Sequence, residues 1–225
     1  MHNLSPALNI KPPLPSYRFP SIDKYASVLS DIYQEEVNIA IWQNDLSDQV
    51  IENINSIMHS NQRLAVVMTS TPSQVVDNLI ECSPELMDKI PLCEHIALLA
   101  EMFCSLFELK RVGLRLTTLD RAMCPRFHVD KIPCRLVSTF AGTATEWLPH
   151  DKINRSKLGP GSKGKPDEIS GLIQHANDIQ QMQIGDVALL KGDAWFNNEG
   201  NGAVHRSPEI CNNNKRLLLT LDFME

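Results

Sequence analysis

The stretch "CPRFHVDKIPCRLVSTFA", residues 124–141, decides how the chain reads. Side chains alternate across a strand, so in "RFHVD" Arg126, His128 and Asp130 share one face while Phe127 and Val129 point to the other. "CRLVSTFA" follows as a second strand of β-forming residues after the break at Pro133. On the concave face of a barrel, an imidazole and a carboxylate at positions i and i+2 can grip one cation side by side. Such a pair needs a third ligand from elsewhere in the chain.

Reading outward from this stretch, the chain after Lys110 consists of short β-period runs separated by turn signals, the pattern of an all-β sandwich or barrel. The predicted strands are "VGLRLTTL", "RFHVD", "CRLVSTFA", "TEWL", "IQQMQ", "DVALLKG", "GAVHRS" and "KRLLLTLDF". A long Gly/Lys/Pro-rich insertion, about 149–178, separates the fourth from the fifth, and it is expected to be a mobile lid or binding loop. His205, within "GAVHRS", is the candidate third ligand. Two neutral imidazoles and one carboxylate form the facial set that holds ferrous iron and leaves coordination positions open. Eleven positions later Arg216 opens "RLLLTLDF", where it shares a face with Leu218 and Thr220. Its planar fork suits the distal carboxylate of a small dicarboxylic co-substrate.

The first half has a different texture. Residues 1–20 hold five of the 14 prolines and read as an extended arm. Residues 21–110 read as a mainly helical supporting region, with "EVNIAIW" and "RLAVVMT" as short strands between helices. The longest helical signal places Leu92, Ile96, Leu99, Phe103 and Leu106 on one apolar stripe, and His95 in the same helix reads as a packed core residue.

Composition narrows the function classes. The 225 residues carry 43% hydrophobic and 21% charged side chains, ordinary for a globular chain with a sizeable core. A net charge of −6 without a basic stripe argues against a nucleic-acid partner. With no signal-like N-terminus and no apolar run long enough for a membrane span, the expectation is a cytoplasmic protein with no membrane partner. The six cysteines never fall at C-x-x-C spacing. Cys124 and Cys134 flank the His-x-Asp pair and leave zinc as the alternative metal, although a core role is the commoner one for such cysteines. The run Gly159 to Lys165 has the G-x-x-x-x-G-K outline of a phosphate loop, but Pro166 stands where Ser or Thr is required. Arg126, Arg135, Trp147, Trp195 and Ser207 complete the candidates for substrate contact or support of the metal ligands, with Trp147 and Trp195 expected at the barrel mouth.

His128-x-Asp130, then His205, then Arg216, together with "IGDVALLKG", resembles the double-stranded β-helix of Fe(II)/2-oxoglutarate-dependent oxygenases over residues 111–224. The resemblance implies an α+β fold: an N-terminal helical region packed on a C-terminal jelly-roll or cupin-like barrel spanning 111–225. It also implies Fe(II) on His128, Asp130 and His205, and 2-oxoglutarate held by Arg216 with Thr220. The same stretches resemble an uncharacterised bacterial family, domain of unknown function eighteen-twenty-six, associated with zinc-responsive genes. That likeness leaves a second expectation open, a non-catalytic metal-binding protein of zinc homeostasis.

Overall fold

The computed structural model describes residues 17–60, 63–210 and 215–224. The arm predicted for residues 1–20 therefore lies mostly outside the described residues, as does Cys211. The fold is α+β. Its first half comprises β1 (Phe19–Asp23), β2 (Val37–Trp42), α1 (Asp48–His59), β3 (Ala65–Ser70), α2 (Val75–Cys82) and α3 (Ile90–Leu106). The second half comprises β4 (Val112–Leu119), β5 (Cys134–Ala141), β6 (Glu146–Leu148), α4 (Asp167–Ser170), β7 (Gln180–Gln181), β8 (Val187–Lys191), β9 (Val204–Arg206) and β10 (Arg216–Phe223).

These strands form two sheets. The larger has the order β1-β2-β8-β5-β10-β4-β3 and the smaller the order β7-β6-β9. β10 lies inside the large sheet, next to the central β5 and antiparallel to both β4 and β5, and its sequence shows why both faces are dry. Leu217, Leu219 and Leu221 join a core with α1, α2 and α3, whereas Leu218 joins a second core with Val137, Ala188 and Trp147 between the sheets. Burying each such leucine contributes about 2 kcal/mol. The helices thus cover one face of the large sheet, and the small sheet covers part of the other. α1 starts where the Ser47 hydroxyl accepts from the Val50 amide, 3.4 Å away, relieving one orphan donor of the first turn.

Three features differ from the sequence reading. The region 21–110 is not only a helical support, because β2 and β3 extend the large sheet on either side, and β1, starting at Phe19 within the expected arm, forms its edge. Their β-branched runs cap sheet edges that would otherwise present unpaired backbone groups. "RFHVD" forms a single bridge, His128 to His205, rather than a strand. Pro125 and Pro133 flank it and can donate no ladder hydrogen bonds. The insertion is packed through a small core in which Leu172, Ile173, Ile153 and Leu158 meet Phe127, Leu148 and Val204. Among the described residues no helix is long and apolar enough to cross a membrane.

Candidate metal centre

The bridge at His128 places the first ligand pair against the third. The His128 and His205 backbones exchange two hydrogen bonds of 3.0 Å each, and the two imidazole centroids lie 4.5 Å apart. This approach needs a small residue nearby: a Cβ on Gly202 would stand 2.3 Å from Val129 Cγ1. Asp130 Oδ1 is 3.7 Å from His128 Nε2, and its Oδ2 is 3.6 Å from His205 Nε2. One ligand atom from each residue lies within 4.8 Å of the others, a spacing at which all three can hold one metal ion.

Hydrogen bonding at the back of each ring orients it. His128 Nδ1 is 2.9 Å from the Arg126 carbonyl oxygen, and His205 Nδ1 is 3.2 Å from the Ala203 carbonyl oxygen. A carbonyl can only accept, so each Nδ1 carries the hydrogen and each Nε2 turns its lone pair toward Asp130. Burial holds the His205 imidazole down at about 4, with the Asp130 carboxylate opposing that shift, so the ring is neutral and ready to ligate at pH 7. The carboxylate is steadied in turn. Arg135 Nη1 donates to Asp130 Oδ2 at 2.9 Å while its Nε and Nη2 grip both oxygens of Asp222 at 2.7 and 2.8 Å. Arg135 thus supports a candidate ligand.

Arg216 lies on the inner face of β10, 1% exposed. Its Nη2 donates to the Thr139 and Thr145 hydroxyls, both at 3.1 Å, while Nε and Nη1 have no partner. Burial pushes this guanidinium down to about 10, and Glu146, the carboxylate that opposes the shift, is itself engaged by Arg206 at 2.6 Å. A cradle holds the Arg216 backbone close: a Cβ on Gly142, at φ +79, would come within 2.4 Å of the Lys215 carbonyl oxygen. Thr145 directly precedes β6, whose Trp147 pairs with His205, so one short strand connects the Arg216 side chain to the histidine cluster.

The remaining candidates scatter. Thr220 does not reach the Arg216 guanidinium; it lines a small cavity with Arg115, Thr117, Met123, Arg135 and Leu218. Arg126 is spent on the insertion, donating to Asp167 Oδ1 at 2.9 Å and to the Lys165 carbonyl. Trp147 is buried between the sheets opposite His205. Trp195 is not at the mouth: it packs on Tyr33 and Phe107 on the helical side, with the Lys191 ammonium over its ring. Ser207 donates its backbone N–H to the Cys124 carbonyl at 2.9 Å. Neither Cys124 nor Cys134 belongs to the ligand cluster, and burial pushes the Cys134 thiol strongly up, away from the thiolate that zinc prefers.

Sequence reading missed Thr139, Thr145 and Asp167. The two threonines gave no signal, since only strand register brings them to Arg216. Asp167, 3% exposed, accepts from the Phe127 amide at 2.7 Å and pairs with Arg126, tying the insertion to the His128 segment.

A family model described as "Protein of unknown function (DUF1826)" matches residues 23–222. No curated protein matches the chain. Among solved structures, the dioxygenase for auxin oxidation 1 from Arabidopsis thaliana, in its 2-oxoglutarate binary complex, is similar at 11% identity with a TM-score of 0.50, covering 92% of each chain. A prolyl-4-hydroxylase from Pseudomonas putida is similar at 12% identity and a TM-score of 0.40, over 89% of this chain and 98% of that one. At such identity the first likeness is one of fold alone.

Proposed function

This chain belongs to the family described as "Protein of unknown function (DUF1826)", and because that description assigns no activity, we propose from the site itself that the protein is an Fe(II)- and 2-oxoglutarate-dependent oxygenase. The observation that carries the reading is Arg216. A guanidinium buried to 1% exposure with two unpartnered donor nitrogens is costly unless an anion meets it. The distal carboxylate of 2-oxoglutarate supplies a negative charge and hydrogen-bond acceptors for donors that the chain leaves unmet.

The residues fit the metal as well. His128 and His205 would give neutral imidazole nitrogens and Asp130 one carboxylate oxygen, the two-histidine, one-carboxylate set suited to non-haem Fe(II). Bound there, the iron and its co-substrate supply the oxidising chemistry, in which O₂ and 2-oxoglutarate yield succinate, CO₂ and an oxidised substrate C–H bond. The chain's own part is positional. The Arg126 and Ala203 carbonyls aim the two rings, Arg135 restrains Asp130, and Thr139 and Thr145 hold Arg216 in place. Arg216 and the core between the sheets, Trp147 included, are buried away from water.

Anaerobic titration of the full chain with Fe(II) and then 2-oxoglutarate tests the reading. The expected result is a weak visible charge-transfer band that appears only with both. A folded, iron-loaded sample without that band overturns it.

A further inference from the structure

We propose that the substrate of this site is an amphiphilic anion, an apolar body bearing a carboxylate or phosphate, and that Arg115 is the residue that selects it. The proposal rests on the oxygenase reading for the chemistry performed, but the binding groove is a separate observation.

The small sheet leaves the β3–β4 side of the large sheet uncovered. There a groove of about 530 Å³ is lined by Arg63, Ala65 and Val67 from the β3 side and by Arg115, Thr117 and Arg121 from the β4 side. Cross-strand register explains the lining, since Val67 pairs with Arg115 and Ala65 with Thr117, so these side chains share one face. The groove continues inward. Arg115, Thr117 and Met123 also line the adjoining cavity of about 50 Å³, whose far wall is Arg135, the side chain that donates to Asp130. The two cavities share Arg115, Thr117 and Met123 and reach from the open edge of the sheet to Arg135, the side chain that supports Asp130.

Its chemistry is two-sided. Val67 is 67% exposed and Met123 44%, an apolar floor with nothing described over it. Around that floor stand three guanidiniums against one carboxylate, Asp120, in a chain of net charge −6. Among the described residues Arg126, Arg135 and Arg206 pair with carboxylates, and no such pair forms at Arg63, Arg115 or Arg121. Unpaired forks beside exposed apolar surface suit a ligand with an anionic head and an apolar body. Arg115 stands at the junction of the two cavities, opposite Thr220, where a bound head group would direct the body along the groove.

The test uses octanoate, octyl phosphate and octanol as probes, titrated calorimetrically into the anaerobic, Fe(II)-loaded full chain below their micelle thresholds. The charge-transfer band with 2-oxoglutarate is recorded on the same samples. At least one anion is expected to bind about tenfold more tightly than octanol, and Arg115→Gln is expected to remove about that factor while leaving the band unchanged. The anion preferred identifies the head group. Equal binding of octanol, no binding of either anion, or unchanged affinity in Arg115→Gln overturns the proposal. A missing band with the expected selectivity defeats only the oxygenase reading, and a normal band without anion binding defeats only this one.

Discussion

The two ends of β10 each have an arginine on the inner side of the large sheet, and they are treated in opposite ways. At one end Arg135, from the neighbouring strand, meets Asp222 of β10 and Asp130, so all its charge is matched within the chain. At the other end Arg216 is more deeply buried yet finds only two threonine hydroxyls, with Nε and Nη1 left over. The difference separates structural support from ligand capacity. Donors spent on Asp130 and Asp222 hold a geometry, whereas unspent donors in a dry place favour an anion from outside.

The largest effect is expected at the candidate ligands beside the supported end. His205→Ala or Asp130→Ala should weaken Fe(II) binding more than about 100-fold, since loss of even an outer partner of a ligand costs 10–100-fold. Equilibrium dialysis with a metal chelator checks this, and retained affinity in both variants would remove the cluster from the proposal. Arg216→Met should keep Fe(II) but lose about 100-fold in 2-oxoglutarate affinity, the worth of a charged hydrogen bond, read from the charge-transfer titration. The same variant should not lower the denaturation midpoint, because an uncompensated buried cation is removed. If it unfolds the protein, Arg216 belongs with Arg135 as a structural group and the contrast collapses.

Acid should act on the metal-free protein through His205. Its folded value lies below the ordinary imidazole value, so the unfolded chain takes up the proton first as pH falls. Stability is therefore fully present above about 6.5 and is lost progressively towards about 4, on the order of 2 kcal/mol by pH 5. Denaturant midpoints at pH 7.5 and pH 5 measure it, and Fe(II) should be released over the same range. The smallest effect is expected at Asp222→Asn, which loosens Arg135 and should weaken Fe(II) binding roughly tenfold without touching 2-oxoglutarate selectivity.

Much of the large sheet was legible because its strands are runs of β-forming residues. "VGLRLTTL" and "CRLVSTFA" are the bounds of β4 and β5, and "RLLLTLDF" those of β10. The weaker signals misled where local pattern and pairing part company. "RFHVD" alternates like a strand, yet it is confined to one bridge between two prolines. Trp195 is an aromatic residue beyond the end of β8, and only packing puts it on the helical side. The insertion has loop-like composition, but Asp167 and a few apolar residues fasten it to the His128 segment.

By itself the sequence determined which ligand types exist and in what order: two histidines, an aspartate and an arginine on stretches of β character. Only the tertiary structure decided their partners, because hydrogen-bond register and burial are properties of chains brought together. Register set His128 against His205, Thr139 and Thr145 beneath Arg216, and Arg135 between Asp130 and Asp222. Burial then distinguished the arginine whose donors are satisfied from the one whose donors are not.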